Sequence, residues 1–128
     1  MKKLLAAAAV ALGLATGVAA DPVLGTWRTE PDDGSYAYVE MAKCGAAVCG
    51  TITRTFNSSG EYQSPNLGKV LVIDMKSQGD GSYAGKVWRP SNDKIYIGKM
   101  DLAGSSLALR GCVAGGLICS KQTWTRVK

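Results

Sequence analysis

Histidine is missing altogether from the 128 residues, and phenylalanine occurs once. The first absence removes the side chain that most often serves as general base near neutral pH. Blocks of like charge are also missing: Lys43, Arg54, Lys69, Lys76, Lys86, Lys94 and Lys99 stand singly, without the clustering that phosphate backbones require, so nucleic acid is not an expected partner. No sequence repeat, low-complexity tract or domain-separating linker occurs. After Ala20 there is neither a helical spacing of apolar residues nor an apolar run approaching the ~20 residues of a membrane span.

What the chain does have begins with a leader. Met1-Lys2-Lys3 is a basic start, Leu4 to Val18 is apolar and Ala-rich, and Val18-Ala19-Ala20 offers small residues at a cleavage point. Together they read as a signal peptide removed after Ala20. The run is too short to span a bilayer, and Asp21 rather than a cysteine follows the cut. Residues 21–128 are then expected to be one soluble, monomeric domain in the periplasm or medium. Without Lys2 and Lys3 the 15 basic residues become 13 against 10 acidic ones, and the net charge falls from +5 to +3. That balance is mild, compatible with weak attraction to an anionic envelope surface or with an ordinary solvated exterior.

An even number of cysteines in a small exported domain favours disulfides. Cys44 and Cys49 bracket one candidate hairpin, Cys112 and Cys119 another. Chain entropy alone would prefer a long link, about 4 kcal/mol against about 2 for each short loop. Cross-strand geometry instead favours the local pairs, because residues facing each other in a hairpin lie at separations that a disulfide accepts. A zinc site is not expected, since the spacings lack the tight C-x-x-C pattern of thiolate sites and exported thiols tend to oxidise.

Between Gly, Asn, Asp and Pro punctuation, alternating and β-branched segments predict eight strands: 23–29, 36–43, 48–55, 69–76, 82–88, 94–100, 106–112 and 118–127. Short turns make consecutive strands pair as hairpins. The exception is 56–68, a long connection that is either a lid over an open end or an ordinary crossing. Pro90-Ser91-Asn92-Asp93 is read as turn chemistry. Trp27, in Gly25-Thr26-Trp27, is too large to expose on a short chain, and Arg126, in Trp124-Thr125-Arg126, is suited to lie across an indole. If the first and last strands meet in this way, the sheet closes and has no edges. The prediction is an all-β, eight-stranded antiparallel up-and-down barrel, with Gly25, Trp27, Trp124 and Arg126 closing one end. The short strands favour a narrow interior.

The leading Gly-x-Trp, the hairpin-linked strands and the terminal Arg beside an aromatic resemble the calycin group, which includes lipocalins. More specifically, Gly25-Thr26-Trp27, Cys44 through Ile52, Gly85-Lys86-Val87-Trp88-Arg89-Pro90 with Tyr96, Leu109-Arg110-Gly111-Cys112 and Gln122-Thr123-Trp124-Thr125-Arg126 resemble the bacterial exported family known as domain of unknown function 2147. The resemblance runs over essentially the whole of 21–128. It implies a small envelope barrel and names no activity. Glu61 through Gly68 departs from the acidic, Asn-Pro-containing stretch of many members.

No residue set forms a catalytic motif: Glu40 or Asp74 could face inward, but neither belongs to one, and solvated surface carboxylates are the simpler reading. The expected function is therefore non-catalytic, with no cofactor and no metal. The leading reading is a barrel that holds a small, partly apolar ligand at one open end, with Tyr38, Tyr83, Trp88 and Tyr96 as aromatic contacts and Arg89 and Arg110 as polar anchors. The alternative is an envelope-stress or protein-interaction module that binds an envelope protein through the long loop and the two disulfide-braced hairpin tips.

Overall fold

The computed structural model describes residues 21–128, so the expected signal peptide lies outside the described residues. The strands are β1 (Gly25–Arg28), β2 (Tyr36–Cys44), β3 (Ala47–Asn57), β4 (Gly60–Tyr62), β5 (Val70–Gly79), β6 (Ser82–Arg89), β7 (Lys94–Ala103), β8 (Ser106–Val113) and β9 (Ile118–Arg126). All pairings are antiparallel. The order β2-β1-β9-β8-β7-β6-β5-β3 is closed by a β2–β3 pairing, giving a ring of eight with β4 appended to β3.

Alternation sets the faces. On β2, Ala37, Val39 and Met41 are buried while Glu40 is exposed; on β8, Leu107 and Leu109 are buried. Their inward neighbours Val72, Met75, Met100 and Trp27 are fully buried and fill one half of the barrel. β5 turns a corner at Asp74, whose φ is +45°, where the register with β6 shifts between Ile73 and Lys76. Gly85 stands opposite this bulge, and a Cβ there would lie 2.5 Å from the Asp74 carbonyl oxygen. Such a bulge lets a sheet curl into a closed barrel, and it needs a residue without a side chain facing it.

The chain ends meet as the sequence predicts. Trp27 pairs with Arg126 in register, and the Arg126 guanidinium lies 4.4 Å from the centre of the Trp27 ring. The guanidinium also donates to the carbonyls of Leu24 and Pro22, and the Thr26 amide donates to the Lys128 carbonyl at 2.7 Å. Gly25 has φ +123°, and a Cβ there would come within 2.5 Å of that same carbonyl. Residues 21–24 tuck beneath this end: Val23 is fully buried, the Trp27 indole donates to its carbonyl at 2.9 Å, and the Tyr83 hydroxyl donates to Asp21.

Both local disulfides are present, with Cα separations of 5.7 Å for Cys44–Cys49 and 4.1 Å for Cys112–Cys119. Cys112 and Cys119 face each other in register, as expected. Cys44 faces Ala47 and Cys49 faces Ala42, so that bond runs diagonally across its hairpin. The 56–68 stretch differs from its reading as a loop. β3 continues to Asn57 and folds back as β4, with Thr55 paired to Tyr62, and the Thr55 hydroxyl donates to the Tyr62 carbonyl at 2.6 Å. Lone strand residues in a three-residue run give no periodic signal, which is why composition reads as loop.

Candidate functional site

The half of the barrel away from the meeting of the chain ends is hollow. Its cavity has a volume of about 700 Å³ and opens where β1 runs into the 29–35 loop, β6 into the 90–93 turn and β8 into the β9 hairpin. The expectation of a narrow interior is thus corrected for this half of the barrel. Strands of eight to eleven residues, longer than their sequence patterns suggest, carry the wall past the packed core.

The inner wall combines apolar inward positions, Ala37, Ile52, Leu71, Val87 and Leu109, with polar ones on β9, Ser120 and Gln122. Trp124 forms the floor. It is buried, and its indole Nε1 donates to Gln122 Oε1 at 2.8 Å. That placement corrects its expected position at the sealed end: Trp27 caps the sealed half, whereas Trp124 faces the hollow one. Toward the opening the lining turns polar with Thr29, Thr55 and Ser64, then charged with Glu30, Asp32, Arg89 and Lys121.

Of the six expected contact residues, the structure brings Trp88, Arg89 and Tyr96 together at this opening and places the other three elsewhere. Trp88 Nε1 donates to Asp93 at 2.8 Å, and the Tyr96 hydroxyl accepts from Asn92 Nδ2 at 2.7 Å. Turn residues therefore fix the orientation of both rings. The Lys69 ammonium covers the Trp88 indole, 5.5 Å from its centre. Tyr38 lies on the outer face, tilted against Phe56 at 4.9 Å with Arg54 over its ring at 5.4 Å. Arg110 is also outside, paired with Asp101. Tyr83 is buried at the sealed end, where burial and then the Asp21 carboxylate push its phenol above the usual range. Tyr38 and Arg110 fall on the outer face because their strand parity is opposite to that of Ala37 and Leu109; Tyr83 points inward but two pleats too deep. Glu40 and Asp74 are exposed, so neither carboxylate faces inward.

Asp32, in the turn that joins the first two strands, carries no functional signal in the sequence and proves central. In the ring of eight, β1 and β6 stand diametrically opposite. The 29–35 loop after β1 nevertheless meets the end of β6, where Asp32 accepts two hydrogen bonds from Arg89, from Nε and Nη2, each at 2.9 Å, and one from Ser91 at 3.2 Å. The loop therefore crosses the opening and is latched on its far side. The Arg89 hydrogen bonds hold the Asp32 carboxyl below its ordinary range against a smaller opposing effect of burial. Glu30, on the same loop, accepts from the Thr123 amide at 2.6 Å. No local signal could reveal a partner 57 residues away in the chain.

Comparison with known proteins bears on the fold. A family model described as "Uncharacterized protein conserved in bacteria (DUF2147)" matches residues 25–126. Among solved structures, the chain is similar to protein HP1028 from Helicobacter pylori, described as belonging to the lipocalin family, with a TM-score of 0.69, 16% identity and 85% of each chain covered. No curated protein matches.

Proposed function

Because the chain belongs to the DUF2147 family of uncharacterized bacterial proteins, with a lipocalin-like barrel, we propose that it is an exported binding protein that holds a small, partly apolar molecule in the open half of the barrel. The observation that carries this reading is the cavity itself. Its volume of about 700 Å³ falls within the ~300–1,000 Å³ range of small-molecule sites, and its lining joins an apolar patch to many polar and charged side chains, as a partly apolar molecule requires. An elongated molecule would lay its apolar part against Leu71, Val87, Leu109 and Trp124. Its polar end would remain near Arg89, Tyr96 and Trp88. The two disulfides support a non-cytoplasmic location, and the proposed mature form is the single domain 21–128 in the periplasm. Native mass spectrometry of protein isolated from its own periplasm tests the reading. A mass increment carried by the folded protein and lost on unfolding is expected; a preparation uniformly at the protein mass, and unable to take up any apolar fluorescent probe, would overturn it.

The alternative is recognition of an envelope protein through the long loop and the two braced hairpin tips, which would then act as separate surfaces. The Cys44–Cys49 hairpin lies at the sealed end and the Cys112–Cys119 hairpin at the open end, so they cannot form one surface.

A further inference from the structure

The polar side of the cavity wall has a one-sided hydrogen-bonding capacity. Gln122 on β9, Thr29 just past β1, Thr55 on β3 and Ser64 just past β4 lie on one arc of the ring of strands, whereas Leu71 on β5 and Val87 on β6 lie on the other. Gln122 shares the inner face of β9 with Trp124 and pairs in register with Leu109. The Trp124 indole donates to it at 2.8 Å. An indole nitrogen can only donate, so the Gln122 amide must turn its oxygen toward the floor and its NH2 group away from it. That group, with two N–H donors, meets no acceptor among the described residues.

The hydroxyls point to the same need. Thr29 Oγ1 accepts from the Ala37 amide at 3.0 Å, and Ser64 Oγ accepts from the Asn66 amide at 3.0 Å. Among the described residues neither hydroxyl proton has an acceptor, although Thr29 is only 9% and Ser64 7% exposed. Thr55 is already engaged in both senses, donating to the Tyr62 carbonyl and accepting from the Ser64 amide. The capacity left over on this arc is therefore chiefly for donating. A wholly apolar occupant would strip water from these donors and strand them, which costs more than an ordinary hydrogen bond gains.

The acceptor that fits is neutral. Arg89, at the end of β6, is held by Asp32, and Lys121 has the opposite strand parity to Gln122, pairing with Arg110 on the outer face. A carboxylate lodged against Gln122 would lack a counter-charge, and an unpaired charge is far more expensive to bury than a polar group. A carbonyl oxygen carries no such penalty and has two lone pairs for N–H and O–H donors.

We propose that the cavity selects a neutral carbonyl compound, an ester, amide or ketone on an alkyl chain, whose oxygen accepts from Gln122 Nε2 while the chain lies against Leu71, Val87 and Leu109. The proposal rests on the binding reading above and narrows its ligand class. Gln122 then does more than orient the Trp124 floor: it is a specificity-determining residue.

Displacement of the apolar fluorescent probe N-phenylnaphthylamine tests it, with two competitors of one skeleton, methyl heptyl ketone and the alkene that carries C=CH2 in place of its C=O. The ratio of ketone to alkene affinity should fall by about two- to tenfold in Gln122→Met, the worth of one hydrogen bond. Gln122→Glu keeps an oxygen for the Trp124 indole, and with it the support of the floor, but has no N–H donor; the same ratio should fall at least as far. In wild type the Gln122 side-chain amide proton signals should move downfield with the ketone and not with the alkene. An unchanged ratio in both variants, with the probe still taken up, would overturn the carbonyl proposal and leave the binding reading standing. Failure of the wild-type protein to take up the probe at all would overturn both.

Discussion

The Arg126 side chain makes three kinds of contact at once: its planar face covers the Trp27 indole, its edge donates to the carbonyls of Leu24 and Pro22, and its strand position pairs it with Trp27. A lysine could keep the charge but not the flat face and fork, so this site is selective for arginine. Trp27 is fully buried, which raises the value of a cation over its ring relative to an exposed pair. Arg126→Ala is expected to cost about 1–3 kcal/mol, from the loss of a cation–π contact on a buried ring and of the donors to the Leu24 and Pro22 carbonyls. A lowered urea midpoint with unchanged uptake of an apolar probe would show that the residue serves closure and not binding. An unchanged midpoint would show that the strand ladder alone holds the ends together.

The loop 29–35 shows where local reading stops. Trp27, Arg126, the four cysteines and the alternation of β2 and β8 were legible in the sequence because each signal lies within one element or rests on a side chain with a single obvious destiny. Asp32 carries no such mark: in Pro31-Asp32-Asp33-Gly34 it looks like any turn residue, and its meaning comes from Arg89 on the opposite strand. Tyr38 and Arg110 were misplaced for a related reason, since aromatic and basic types suggest contacts while only strand parity says which side of the wall they occupy. The latch has a definite pH dependence. Asp32 titrates lower in the folded protein than its ordinary value of 3.8, so its stabilising effect is complete above that value and disappears as pH falls through the lowered one. Around neutrality the loop should therefore be held, with slow exchange of the Asp32 and Ser35 amides, which bond each other's carbonyls. In acid below the ordinary carboxylate range those amides should lose protection relative to the unstructured exchange rate at the same pH, and Asp32→Ala should show that loss of protection already at neutral pH. Equal protection in wild type and variant at neutral pH would mean that the crossing is held by the Glu30–Thr123 contact alone.

At the scale of the whole molecule, the barrel divides its length between two tasks. Around Trp27, Met41, Met75 and Met100 it is packed solid, and Thr26 of the first strand is bonded to Val127 and Lys128 after the last. Around Leu71, Val87 and Leu109 the same sheet encloses space. Apolar wall left without packing partners forfeits dispersion contacts that a filled core would have, so the hollow half lowers stability below what the chain length allows. Replacing Leu109, 6% exposed and facing the cavity, by Trp adds volume where room exists. Overpacking a filled core by a comparable amount typically costs about 1–3 kcal/mol. In this barrel the substitution should leave the melting temperature unchanged or raise it, while uptake of an apolar fluorescent probe falls sharply. The pairing of those two outcomes is the decisive part. Lost uptake with preserved stability means that the space is real in solution and is where ligands go, whereas a large drop in stability means that the walls close on each other in water and the cavity is occupied by the protein's own side chains.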